Sequence, residues 1–209
     1  MLKVKEFYFH STERKSNTYV VYDDNNSCII IDASDSKNVL SFIKDNKLSC
    51  KAICITHGHF DHIKALDVLV NELDCPVYID YEDFSLLKDD SLNCSKYLNE
   101  HIVIKYNKQI DARFIENKSY LDEKIIIYRT PFHTMGSINY YFPKSKLIFT
   151  GDSLFKGSIG RTDLPTSNSK LIKDSLKIYK ELKNDVIIYP GHGKTSTIYN
   201  ELNENPYLN

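Results

Sequence analysis

No stretch of this 209-residue chain stays apolar for longer than a strand. The longest such runs, Cys28-Ile29-Ile30-Ile31 among them, fall far short of a membrane span. Neither charge predominates: 27 basic against 28 acidic residues leave a formal net charge of −1. The single-sign field that attracts nucleic acid or an anionic membrane is therefore missing, and a small-molecule partner is expected. The N-terminal Met1-Leu2-Lys3-Val4-Lys5-Glu6 reads directly into a strand and lacks the apolar segment of a signal peptide. Cysteine is sparse and odd in number. Cys28, Cys50, Cys54, Cys75 and Cys94 form no C-x-x-C pair, which argues against a disulfide framework and for free thiols packed as small hydrophobes in a reducing, cytoplasmic setting. Cys50 and Cys54 sit close in sequence, but Cys54 belongs to a strand, which argues against a zinc pair there. Tryptophan is absent from a chain rich in Lys, Asn, Ile and Tyr, a pattern that resembles genome-wide compositional bias.

Glycine is also scarce. All seven (Gly58, Gly136, Gly151, Gly157, Gly160, Gly191, Gly193) lie beside polar motifs, where each marks a backbone position needing positive φ or close approach. What remains is a 42% hydrophobic chain, enough for one substantial α/β domain over residues 1–209. Strands are expected at 19–22 and 28–32, joined by an Asp23-Asp24-Asn25-Asn26 hairpin turn, then at 51–56, 75–79, 125–128, 138–142, 146–149 and 186–189. Helices are expected over 37–46, 61–73 and 168–183, with a surface-lying helical region over about 81–100.

Between the third of these strands and the second helix lies Thr56-His57-Gly58-His59-Phe60-Asp61-His62. Three imidazoles and a carboxylate in seven residues are the N and O donors that divalent metals prefer, placed on a strand-to-helix turn. Three further strand-following loops carry His133 (in Thr130-Pro131-Phe132-His133-Thr134), Asp152 (in Thr150-Gly151-Asp152-Ser153) and His192 (in Pro190-Gly191-His192-Gly193). Singly, His133 or His192 reads equally well as a satisfied core histidine. Together with the seven-residue run they converge on one sheet edge, because loops that follow strands do so. Seven donors are too many for one tetrahedral ion and suit two ions about 3.5–4 Å apart. His10 and His101 lack this setting and read as ordinary surface or half-buried histidines.

The constellation resembles the metallo-β-lactamase superfamily over nearly the whole chain, and the resemblance implies a four-layer αβ/βα sandwich. Carried onto this sequence, His57, His59 and His133 would hold a first metal. Asp61, His62 and His192 would hold a second, and Asp152 would bridge both, with Asp61 and Asp152 thereby serving the chemistry as well as the metals. The ions implied are two divalent cations, zinc first, with iron or manganese as alternatives. Within the superfamily, Gly151-Asp152-Ser153-Leu154-Phe155-Lys156-Gly157-Ser158-Ile159-Gly160-Arg161-Thr162-Asp163-Leu164-Pro165 and the tail through Glu201 and Asn205-Pro206-Tyr207-Leu208 are similar to small glyoxalase II-like hydrolases. That implies cleavage of a thioester, such as a 2-hydroxyacyl-glutathione, by a hydroxide generated between the metals. The departing thiolate, with an intrinsic pKa of roughly 8.5, needs no dedicated acid. Lys156 and Arg161 are candidate contacts for a substrate carboxylate, although Arg161 and Asp163 also read as an ion pair that pins the loop.

Zinc β-lactamases of the common type carry Cys where Asp152 stands, so their activity is not expected here. The helical domain with which full-length glyoxalase II enzymes grip glutathione has no counterpart in this sequence. Phe132 stands where the family places Gly, which predicts a reshaped pocket floor or a shifted His133. Asp32-Ala33-Ser34 replaces the family's Asp-Pro-Gly. Persulfide dioxygenases share the H-x-H-x-D-H run and would use a single iron on His57, His133 and Asp152. A metal-binding protein without catalysis is the remaining class, and the filling of all seven positions argues against it. A metallo-hydrolase of another ester class is also compatible.

Overall fold

The computed structural model describes residues 2–7 and 15–209; His10 lies outside the described residues. Two mixed sheets form the middle of the molecule. The first runs β1 (Lys3–Phe7), β2 (Thr18–Tyr22), β3 (Ser27–Ile31), β4 (Ser49–Cys54), β5 (Val77–Ile79) and β6 (Ile110–Asp111) in that spatial order. The second has β7 (Ile126–Arg129), β8 (Ile138–Phe142), β9 (Leu147–Gly151), β10 (Ile187–Pro190) and β11 (Ser196–Thr197), in the order β11-β10-β9-β8-β7. The expected hairpin is present, with Tyr22 opposite Cys28 and the Asp23 carboxylate accepting the Asn25 and Ser27 amides at 2.9 Å each.

Strand alternation builds the four layers. Tyr19, Val21, Ile29 and Ile31 face Ile138, Tyr140, Phe142 and Phe149 across the gap between the sheets. Their neighbours Val20, Cys28 and Ile30 turn the other way, against Val39 and Ile43 of α1 (Lys37–Asp45) and Leu66 and Leu69 of α3 (Leu66–Leu73). On the far side Tyr141, Ile148 and Ile188 pack on Leu176, Tyr179 and Ile198. Strands buried on both faces read as continuous apolar runs, which is why Cys28–Ile31 shows no alternation. This is the four-layer sandwich expected of the sequence.

Three expectations need correction. The helix over 61–73 is split into α2 (Phe60–Ile63) and α3, because the His62 carbonyl accepts from Ala33 N–H (2.7 Å) and Ala65 N–H donates to the Ala33 carbonyl (2.8 Å). The helix over 168–183 becomes a 3₁₀ turn, α4 (Ile172–Ser175) and α5 (Lys177–Glu181). An i→i+3 bond from Tyr179 N–H to the Leu176 carbonyl (3.2 Å) tightens the turn and sets both side chains into the third core cluster. The region 81–100 lies largely at the surface, as expected, but is not one continuous helix. It holds 3₁₀ turns at Tyr81–Leu87 and Ser95–Leu98, and Asp83, Leu86, Leu87, Asn93 and Ser95 are buried. Its polar residues are internal fasteners: Asn93 Nδ2 donates to the Leu86 and Ile102 carbonyls at 3.0 and 2.8 Å.

Strands β6 and β11 and the closing helix α6 (Ile198–Glu204) were not anticipated. No helix among the described residues is long and apolar enough to cross a membrane. All five cysteines are free, and Cys50 and Cys75 bring their sulfurs to 3.7 Å.

Candidate metal centre

Four loops that follow β4, β7, β9 and β10 deliver the predicted residues to one edge of the sandwich, and backbone bonds lock them together. Gly191 N–H donates to the Gly151 carbonyl (2.8 Å), and Ile138 N–H donates to the Thr56 carbonyl (3.0 Å). At Gly191 a side chain would displace the cluster, since a Cβ would strike Asp152 Oδ1 and lie 2.7 Å from His62 Cε1. A Cβ at Gly160 would strike the Asp152 carbonyl and lie 2.9 Å from His133 Nδ1.

Asp32 closes the other side. It adopts a left-handed φ of 59°, a conformation that costs a non-glycine residue about 1–3 kcal/mol. In return its carboxylate accepts the Thr56 amide (2.8 Å) and hydroxyl (2.9 Å) and faces His62 Nδ1 at 2.8 Å. The β4 turn is thereby fixed.

The structure brings all seven predicted donors together. Three groups have donor atoms within 4.8 Å of one another: His57, His59 and His133; His57, His62 and Asp152; and Asp61, His62 and His192. His59 Nδ1 lies 2.9 Å from His133 Nε2. Asp152 reaches both ends, with Oδ2 at 3.4 Å from His133 Nε2 and 3.6 Å from His192 Nε2, and Oδ1 at 3.2 Å from His62 Nε2. His192 Nε2 is 3.0 Å from Asp61 Oδ2.

Outward-facing nitrogens are engaged by protein oxygens, which sets each ring's orientation. His133 Nδ1 donates to the Arg161 carbonyl (2.8 Å), His62 Nδ1 meets Asp32, His57 Nδ1 lies 3.2 Å from Thr56 Oγ1, and His59 Nε2 lies 3.2 Å from Thr166 Oγ1. A histidine whose far nitrogen is held in this way presents its near lone pair inward.

Three inward atoms, His57 Nε2, His62 Nε2 and Asp152 Oδ1, are buried with no hydrogen-bond partner. The 3.2 Å between the last two lacks hydrogen-bond alignment. Leaving such atoms unpaired costs about 1–3 kcal/mol each, and a cation between them removes that penalty. The donor set fits divalent metal ions.

Protonation divides the cluster in two. Burial holds the His57 imidazole well below its ordinary range, and burial assisted by His133 takes His59 to about 3. Burial also lowers His133, against the opposing charge of Asp152. These three rings are neutral, with lone pairs available. At the other end burial opposes charge but loses. The carboxylates of Asp32, Asp61 and Asp152 raise His62 well above its ordinary value, and Asp152 and Asp61 raise His192. Burial likewise works to raise Asp61, yet His62 and His192 bring it down to about 2. For Asp152, the same two histidines overcome burial and hold it well below the ordinary carboxylate range. A cation entering the second group therefore displaces protons, whereas the first group is ready for one.

A cleft of about 850 Å³ opens on the cluster, lined by His59, Asp61, His133, Asp152 and His192 on its floor and by Phe60, Tyr97, Leu98, Phe155 and Arg161 around them. His192, at 34% side-chain exposure, is the donor most open to it. Arg161 is held by Asp163 through two 2.7 Å bonds. Lys156 is exposed and does not line the cleft. Phe132 neither forms the pocket floor nor lines the cleft. Its ring is fully buried in the third core cluster, while its carbonyl accepts from Asn168 N–H (2.8 Å). His101 is exposed and bonded to Asp90 (2.7 Å), away from the cluster.

Two supporting carboxylates were not assigned from sequence. Asp32 carried the same signal as the ligands, an Asp closing an apolar strand. Asp83 carried none. Buried from solvent, it accepts Gly58 N–H (2.8 Å), Gly136 N–H (2.8 Å) and the Thr134 hydroxyl (2.7 Å), joining the loop of His57 and His59 to that of His133. Its buried setting raises it to about 6 even against those three donors. The tail acts similarly on the cleft's other wall: Glu201 accepts Gly157 N–H (2.7 Å) and Asn205 donates to the Ser158 carbonyl (3.1 Å).

Comparison with known proteins agrees with this geometry. The profile of the Metallo-beta-lactamase superfamily matches residues 11–192. A probable metallo-hydrolase of Streptococcus pyogenes serotype M6 is 34% identical over 92% of this chain and 85% of its own. The hydroxyacylglutathione hydrolase GloC of Haemophilus influenzae is 30% identical over 95% of each. Among solved structures, the B3 metallo-beta-lactamase BLEG-1 superposes with a TM-score of 0.88 at 32% identity over 99% of both chains. A protein solved in a di-iron-bound form reaches 0.80 at 29% identity, over 98% of this chain and 100% of its own.

Proposed function

The chain belongs to the metallo-β-lactamase superfamily, and from that premise we propose that this metallo-hydrolase cleaves a thioester at a two-ion centre. The observation that carries the reading is the convergence of buried, unpartnered donor atoms on one point, beside a second group of Asp61, His62 and His192. In this reading His57, His59 and His133 would hold one ion, Asp61, His62 and His192 would hold the other, and Asp152 would serve both. Nitrogen and oxygen donors suit zinc, iron or manganese, and the di-iron form of a similar protein supports keeping iron beside zinc. When bound, such ions supply Lewis-acid activation of water and of a carbonyl oxygen.

The chain's own residues do the rest. Asp32 and the Arg161 carbonyl hold the Nδ1–H of His62 and of His133, so the inward Nε2 of His133 offers a lone pair and that of His62 does so once its extra proton is displaced. Among the described residues, the cleft lining contains no carboxylic acid besides Asp61 and Asp152. A thiolate leaving group, with a conjugate-acid pKa of about 8.5, departs without one. The name of the Haemophilus relative supports the same substrate class.

A second reading, opening of a β-lactam amide, is supported by the likeness to BLEG-1. The test is to purify the protein, count metal ions per chain and assay three reactions in parallel: thioester cleavage, chromogenic β-lactam cleavage and persulfide-dependent oxygen uptake. Two ions with thioester cleavage is the expected result. A single iron with oxygen uptake refutes it, and β-lactam turnover without thioester turnover replaces it with the second reading.

A further inference from the structure

Around the cluster the cleft is walled by apolar side chains: Phe60, Tyr97, Leu98, Phe155, Leu164 and Pro165. Tyr97 and Leu98 leave 63% and 39% of their surface in solvent, although large apolar groups gain by burial. Their position is enforced rather than incidental. The 3₁₀ turn Ser95–Leu98 that carries them is bounded by two non-glycine residues in the left-handed region, Cys94 (φ 70°) and Asn99 (φ 58°). The turn is pinned from beneath as well: buried Asn93 accepts Ser95 N–H (3.0 Å), and Ser95 Oγ accepts Ile102 N–H (2.8 Å). Strained backbone held by buried side chains gathers where a surface has a task. Here it presents a ring and a branched chain at the rim of the cleft.

Charge at the cleft is already committed. Of the Lys and Arg side chains that line it among the described residues, Arg161 is engaged by Asp163 and Lys15 lies 3.9 Å from Asp35. A tripeptide thiol such as glutathione carries two carboxylates and would have to compete for both. The opposite wall is firm too, since Glu201 and Asn205 tie down the loop that holds Phe155, whose ring meets His192 edge-on at 5.9 Å.

We infer that the substrate carries a bulky apolar group next to its scissile thioester, seated on Tyr97 and Leu98, and that its thiol is not a tripeptide with two carboxylates. The inference rests on the thioester reading for the reaction, but the seat itself is testable without turnover. With the metal-loaded protein, kcat/KM is measured for octanoyl and acetyl thioesters of N-acetylcysteamine, for the acetyl thioester of octanethiol, and for lactoyl-glutathione. One of the two octyl-bearing thioesters exceeds the acetyl compound and lactoyl-glutathione by about tenfold or more, and which of them does so identifies the half that is seated. In Leu98→Ser and Tyr97→Ser that advantage falls about tenfold.

Separately, an uncleavable octyl thioether is titrated calorimetrically into wild type and Leu98→Ser. Binding weakened about tenfold in the variant supports the seat. Equal binding overturns it, as does preference for lactoyl-glutathione. Failure to cleave any thioester, with binding still dependent on Leu98, removes the reaction reading and leaves the apolar seat standing.

Discussion

Asp83 offers the sharpest test of how the site is held. Buried from solvent, it is raised from an ordinary 3.8 to about 6. That rise corresponds to roughly 3 kcal/mol of preference for the protonated carboxyl. Because the folded-state value lies above the unfolded one, the folded protein binds this proton more tightly. The associated stability is fully present below about pH 4 and is lost as pH rises through about 6. In Asp83→Asn that titration disappears. The amide still accepts from one glycine N–H and can donate to Thr134 Oγ1, but leaves the other N–H unpaired, at about 1–3 kcal/mol. That is survivable against a total of about 5–15 kcal/mol. The assay is urea unfolding of metal-stripped wild type and variant at intervals from pH 4 to 8. Comparing the two proteins cancels every titration they share, including those of the histidine cluster. The advantage of wild type over the variant should shrink by roughly 3 kcal/mol between pH 4 and 7. Parallel curves would show that Asp83 is ionised at no unusual cost, and the argument from burial would fail.

Replacing Asp152 by Ala should abolish activity and lower metal content at both groups, measured by elemental analysis; retention of two ions per chain would refute its bridging position between them. Asp32→Asn removes the acceptor shared by Thr56 and His62, so metal affinity should fall about 10–100-fold in competition with a chromogenic chelator while the direct donors stay intact. Unchanged affinity would mean that His62 needs no orientation. Phe132→Ala should lower stability by about 3–5 kcal/mol through the cavity it leaves, with metal content unaltered; loss of metal instead would place the ring's influence at His133 after all.

The cluster was legible because its chemistry is confined to few residue types and its loops all follow strands. His57, His59, Asp61 and His62 fall within six residues, and His133, Asp152 and His192 each follow an apolar run that even a single sequence displays. The four layers were legible for a related reason, since a run such as Cys28–Ile31 has no polar face to give to solvent. Asp83 and Phe132 show where that reasoning stops. A lone Asp in a polar stretch looks solvated, and only the fold reveals that Gly58 and Gly136 donate to it. Phe132 sits one residue from a cluster histidine, but both lie in the irregular turn after β7, where no strand or helix period assigns a face to either side chain. Its ring enters the core behind the second sheet while His133 enters the cleft.

The break between α2 and α3 carries the same lesson into function. Apolar spacing over 61–73 describes one continuous helix, and nothing local interrupts it. The interruption comes from Ala33, far away in sequence, which takes the His62 carbonyl and offers its own to Ala65. Ala33 follows Asp32, the residue that holds the Nδ1 of the same histidine. One short segment after β3 thus grips His62 by both its backbone and its ring. The opening helix is cut to a single turn because its second residue and its third, Asp61 and His62, must face the cluster together. A continuous helix would leave His62 positioned by its helix alone, without that grip on its backbone.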